Sequence, residues 1–250
     1  MTTPLLKFTD KNVATFGRDL DVVMKQLNAE LVNLLITGQT VDAAVILNSR
    51  AAMTVALNQA GYLELSNEFV GQYPAIAEKA GAEVSKMVGA GPSMQFSQPS
   101  IATMRGLARV DVDGFAAIGD KALDDLRVGL YRDVVSNMPV SALTERIAES
   151  TIGLAKNNSP MRNYAYTHAN TSILNFSGEV LILAGEEIGA DKWEVVGPLD
   201  SKTRPVCHAA LAEPVRTKEQ WIKTGYWGGT PGGWNCRHQL YPWFGDDTSN

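Results

Sequence analysis

The chain has 250 residues, 45% of them hydrophobic and 20% charged, with a formal net charge of −5. That apolar share builds a core without help from a metal or disulfide, and the acidic balance lacks the basic footprint that sequence-specific nucleic-acid binding requires. The most apolar stretch, Val180 to Gly185, is far too short to span a bilayer, and Met1 to Phe16 holds no basic segment leading into an apolar run, so no secretory signal is expected.

Residues 1–190 read as helices. Val13, Phe16, Leu20, Val23, Leu27, Leu31 and Leu34 recur at intervals of three and four, which places them on one helical face. The same stripe approximates a heptad, so it suits either the chain's own core or pairing with another subunit. Gly38 is expected to end this helix, and Thr40 to cap a second one carrying Val41, Ala44, Val45, Ala52 and Val55. Pro74 suits the first turn of a third, with Ile76, Ala80, Val84 and Met87. The run "GAGPSMQFSQPS" (Gly89 to Ser100) predicts an exposed loop or hinge. Helices then resume. Phe115, Ile118, Leu126, Leu130 and Val134 form one stripe; Leu143, Ile147 and Ile152 form another behind Ser141 as N-cap. Ser159 followed by Pro160 is the clearest helix start, and that helix carries Met161, Tyr164, His168, Leu174 and Leu181 before stopping at Gly189.

Beyond Gly189 the style changes. "KWEVVG" (Lys192 to Gly197) predicts a strand, and all five tryptophans lie beyond residue 190. The pattern predicts a mainly α chain: an N-terminal helical region over 1–88, a second helical region over 101–190, and a small α+β module over 191–250.

The residues that carry chemistry gather in that module. In "DSKTRPVCHAAL" (Asp200 to Leu211), Asp200 occupies a turn where its side chain can accept from backbone N–H groups two or three residues on. Arg204, four residues later, is the expected ion-pair partner, in a buried pair that locks the turn. Pro205 is expected to open a short helix that points Cys207 and Leu211 the same way. In "GGWNCRHQLYPW" (Gly232 to Trp243), Cys236, Arg237 and His238 sit between Trp234 and Trp243. The preceding Gly225 to Trp234 has neither a "GKS" or "GKT" nor a strand–helix frame. It reads as a close-packed turn or contact surface and not as a phosphate loop.

The order of these elements resembles the C-terminal module of the Mu-F-like phage minor head proteins, the head-morphogenesis family. The matching positions are Trp193, Asp200, Ser201, Thr203, Arg204, Pro205, Cys207, Cys236 and Arg237, spread over roughly the last third of the chain. Three positions depart from the family pattern: Arg204 stands where an earlier cysteine is common, Trp234 where a histidine is, and His238 where a last cysteine is. The resemblance implies a structural virion component without catalysis. It would assemble in the host cytoplasm into the head of a tailed phage, near the portal vertex, with portal, capsid or neck proteins or further copies of itself as partners, and would serve head assembly, DNA packaging or ejection. Two alternatives stay open: a neck or adaptor protein bound to the portal, and a virion-delivered enzyme acting through Cys207, Cys236 and His238.

The residues themselves leave further chemistries to weigh. Zinc could be held by Cys207, Cys236 and His238, with His208 as a fourth ligand. However, structural zinc usually draws on ligand pairs two to four residues apart, and here the gaps are shorter. Two cysteines buried against tryptophan and proline are the simpler expectation, with no cofactor and no disulfide. A cysteine nucleophile would need a histidine that faces it and a third group to orient that histidine, and no third member is visible. An HNH-like metallonuclease is disfavoured by only three histidines, of which His168 lies within a helix.

Overall fold

Ten helices and three strands form among the described residues, which in this computed structural model are 3–36, 41–89, 94–153 and 159–245. The helices are α1 (Pro4–Leu35), α2 (Ala43–Asn48), α3 (Arg50–Gln59), α4 (Tyr62–Val70), α5 (Tyr73–Met87), α6 (Gln98–Val135), α7 (Val140–Thr151), α8 (Pro160–Glu187), α9 (Pro205–Ala212) and α10 (Lys218–Lys223); the strands are β1 (Lys192–Val196), β2 (Val215–Thr217) and β3 (Gln239–Trp243). The protein is mainly α, with a long helical body and a small α+β end. Its internal packing groups Met1–Val13, Val70–Val110 and Asn170–Asn250 into one unit, and Ala14–Phe69 and Asp111–Ala169 into a second. Each unit is therefore discontinuous in sequence, and α1, α4, α6 and α8 contribute residues to both.

The second unit is all helical. The α1 stripe of Phe16, Leu20, Val23, Leu27 and Leu31 is buried in the chain itself, and Leu34 is half-buried. Of the two uses open to it, this stripe serves the protein's own core. Phe16 packs on Phe69 and Phe115 with ring centroids 4.9 and 5.4 Å away, and His168 meets Phe115 edge-on at 4.6 Å. The single helix expected after residue 40 is instead broken at Ser49, whose hydroxyl donates to the Ile46 carbonyl (2.7 Å) and so competes with helix continuation. Asp42 caps α2 by accepting from the Ala44 N–H; Gly38 and Thr40 lie outside the described residues. The buried face of α2 and α3 is Ile46, Met53, Ala56 and Leu57, one residue out of phase with the expected one, and Val45 and Val55 stay 47% and 52% exposed. In α7, Ser141 is inside the helix, because Pro139 with its extended backbone (φ −66, ψ 152) sets the entry two residues earlier. At the start of α8, Ser159 does cap, accepting from the Arg162 N–H at 3.2 Å.

The first unit carries the sheet. Residues 90–93 of the expected loop lie outside the described residues; Met94 to Ser97 has no regular structure, and α6 begins at Gln98. Glu187, at the end of α8, accepts from the Ser97 N–H and the Ser100 hydroxyl at 2.9 and 2.6 Å. The three strands are antiparallel in the order β2-β1-β3, so β1 is central and Trp193 is flanked by Arg216 and Pro242. One sheet face buries Trp193, Val195 and Leu240 with Ile182, Trp221 and Tyr226. Trp221 Nε1 donates to the Trp193 carbonyl at 2.9 Å. Thr217 and Gln220 form a reciprocal capping box that starts α10. The turn after α10 passes so close to α8 that Gly178 and Gly229 meet backbone to backbone, with no room for a Cβ at either position.

Candidate functional site

The chemistry-bearing residues converge where the chain leaves β1, runs through α9 and returns to β3. Asp200 turns the chain as its sequence suggests: its carboxylate accepts from the Lys202 N–H (2.9 Å), and its own N–H donates to Thr203 Oγ1 (2.9 Å). Thr203 in turn donates to the Pro198 carbonyl (3.0 Å), which pins the turn to the exit of β1. Ser201 is exposed.

The arginine partner differs from the expectation. Arg237, thirty-seven residues away in sequence, grips Asp200 through two parallel hydrogen bonds of 2.8 and 2.7 Å. Arg204 instead donates to the carbonyls of Gly232 (2.6 Å) and Trp234. The sequence distance of four residues suggested Arg204, yet Arg204 is the N-cap residue of α9, with extended backbone, and its side chain reaches across to the 232–234 loop. The ion pair is also half-exposed and not buried. Arg237 holds the Asp200 carboxyl well below the usual carboxylate range, helped by the Lys202 N–H.

Inside this frame lie the two thiols. Pro205 is the first residue of α9, and the helix buries Cys207 and Ala210, with Leu211 half-buried against the same core. Cys207 Sγ and Cys236 Sγ are 3.9 Å apart as free thiols. On the approach to β3, burial alternates: Cys236 and His238 face inward, and Arg237 between them faces Asp200. His238 Nδ1 lies 3.9 Å from Cys236 Sγ, and its Nε2 lies 3.0 Å from the Pro198 carbonyl. A carbonyl only accepts, so Nε2 carries the proton and the Nδ1 lone pair faces the thiols. Burial pushes the Cys236 thiol up and the His238 imidazole down, so both are neutral near pH 7. A thiol–imidazole pair of this kind lacks the low-pKa thiolate that an activated cysteine nucleophile presents.

Two residues that sequence reasoning missed complete the site. Gly232 passes so close that a Cβ there would stand 2.6 Å from Cys236 Sγ and 2.7 Å from Cys207 Sγ. Tyr226, 1% exposed, brings its hydroxyl beside both thiols, and its Oη meets no hydrogen-bond distance and angle criterion among the described residues. Neither position carries a motif signal; each is defined by the path of the 225–235 loop. Trp193 belongs to the adjoining core, whereas Trp234 is 63% exposed and contributes its carbonyl to Arg204. His208, the fourth ligand considered from sequence, is exposed. Cys207, Cys236 and His238 offer three metal-ligand atoms, all within 4.8 Å of one another.

The all-helical unit holds a separate concavity. It is a cleft of about 580 Å³ whose lining includes Ile118, Leu123, Leu126, Met161 and Tyr164, and none of the Asp200–His238 residues described above lines it. Comparison with protein-family models, curated proteins and solved structures finds no significant match to this chain.

Proposed function

We propose that this protein is a structural component of a tailed-phage head, a minor head protein of the Mu-F-like kind acting near the portal vertex. The supporting observation is the ordered signature from Trp193 through "DSKTRPVC" to "NCRH". Its members are not scattered: Asp200 with Arg237, Arg204 with the 232–234 carbonyls, and Cys207 with Cys236 all meet in one small module. Such mutual bracing suits a module that holds a shape. Both thiols are enclosed, and burial pushes the Cys236 thiol up, which offers little to a covalent mechanism and weighs against the enzyme alternative.

The test is cryo-electron microscopy of particles from a phage or prophage that encodes the chain, made with and without it. The expected result is density for a few copies at the portal vertex, and defective heads or uninfectious particles in its absence. Particles that assemble and infect normally without the protein would overturn the reading.

A further inference from the structure

We propose that Cys207, Cys236 and His238 bind one zinc ion, with the Tyr226 hydroxyl at the fourth position, and that this centre ties α9 to the entry of β3. The inference is independent of the phage reading and contradicts the preference, drawn from ligand spacing, for two inert buried cysteines.

Distances carry the argument first. Zinc–sulfur and zinc–nitrogen bonds of about 2.3 and 2.0 Å in a tetrahedron imply an S···S edge of roughly 3.8 Å and an S···N edge of roughly 3.6 Å. The observed edges are 3.9 Å between the two Sγ atoms and 3.9 Å from Cys236 Sγ to His238 Nδ1. The third edge is at most 4.8 Å, and drawing it in completes the triangle.

The surroundings point the same way. His238 is oriented as metal-binding histidines usually are: its other ring nitrogen donates to a backbone carbonyl, here that of Pro198, which fixes the tautomer with a free lone pair toward the site. Tyr226 supplies the second, independent sign. A buried hydroxyl without a well-formed hydrogen bond is costly, and this one lies beside the two thiols. A cation between these four groups would give it a partner. Gly232 closes the remaining side, because only a residue without a side chain leaves the sulfurs where they are. Two sulfurs and one imidazole select a soft or borderline cation and reject magnesium and calcium. Enclosure makes the centre structural rather than hydrolytic, since Cys207, Cys236 and His238 are all at most 3% exposed.

The spacing rule fails here for a physical reason. Ligands one residue apart are awkward on a helix or tight turn, but Cys236 and His238 lie on chain leading into a strand, where alternate side chains share a face. No second pair is needed, because α9 delivers Cys207 and the loop delivers Tyr226.

The test begins with the unaltered full-length protein, purified in a non-chelating reductant with both thiols titrating as reduced, and incubated with zinc or cobalt(II). We expect one equivalent of zinc by elemental mass spectrometry, and thiolate-to-cobalt charge-transfer bands with tetrahedral ligand-field absorption. Cys207→Ser and His238→Asn should each lose the equivalent, His208→Ala should keep it, and Tyr226→Phe should weaken affinity by about tenfold or more. Folded, reduced wild-type protein that retains no zinc and shows no cobalt–thiolate bands overturns the proposal whatever the variants do. Unchanged affinity in Tyr226→Phe removes Tyr226 from the ligand set.

Discussion

The all-helical unit and the 191–245 module solve the same problem in different ways. In the helical unit, burial is spread over long amphipathic faces, and Phe16 of α1, Phe69 of α4 and Phe115 of α6 meet in one aromatic cluster. In the module, short elements cannot bury enough surface by periodicity alone, and shape rests on particular pairs: Asp200 with Arg237, Trp221 with the Trp193 carbonyl, Gly178 with Gly229, and the thiols with His238. Distributed burial tolerates exchange of one apolar residue for another of similar volume, whereas a specific pair does not.

That contrast can be broken in graded steps. The largest loss is expected from Phe115→Ala. It removes a fully buried ring at the centre of the aromatic cluster and should cost about 3–5 kcal/mol in denaturant unfolding; Phe115→Leu should cost much less if burial there is truly distributed. Next is Gly178→Ala. A Cβ would overlap the Gly229 backbone, which has no side-chain freedom to yield, so roughly 3 kcal/mol is expected, the upper end of overpacking costs. An unchanged melting temperature would show that the 225–235 loop can move away from α8. A smaller, more diagnostic effect is expected from a double-mutant cycle: Asp200→Ala should couple to Arg237→Ala, and Asp200→Ala with Arg204→Ala should be additive. The reverse result would restore the pairing suggested by sequence distance.

The smallest effect is a pH dependence. Asp200, Glu187 and Glu219 all have carboxyls held below their ordinary values, by Arg237, by Ser100 and Ser97, and by hydrogen bonding at the start of α10, respectively. A depressed folded-state pKa contributes stability that is present above the unfolded value and lost as pH falls through the folded one. The thermal midpoint should therefore hold from pH 7 down to about pH 5 and fall below that, as these carboxyls take up protons. Asp200→Asn should flatten the acid limb, as followed by near-ultraviolet circular dichroism of the module's tryptophans.

The helical unit was readable in advance because its signal is local. The α1 stripe and the Ser159–Pro160 start depend on residues three or four apart, and both are found. Errors arose where one local rule competed with another. The phase of α2 and α3 was missed by one residue because Ser49 divides the helix, and the entry of α7 belongs to Pro139 rather than to Ser141. The α4 helix was not anticipated, although Gly61 at φ +89 marks the break before it. In the module, β1 and α9 were legible from their composition, but Tyr226 and Gly232 were not, since nothing about a tyrosine or glycine in a glycine-rich run says which thiol it will meet.

The sequence by itself determined a mainly α chain with an α+β end, where β1, α8 and α9 start, and which small set of side chains carries polarity and sulfur into that end. Only the tertiary structure decided that Arg237 and not Arg204 holds Asp200, that two thiols and an imidazole share a corner, and that an unpaired tyrosine hydroxyl faces them. The physical reason is range. Helical and strand preferences arise from steric and hydrogen-bond terms within one turn of chain, whereas these partners lie ten to thirty-seven residues apart and meet only because the loop between α10 and β3 is forced back against α8.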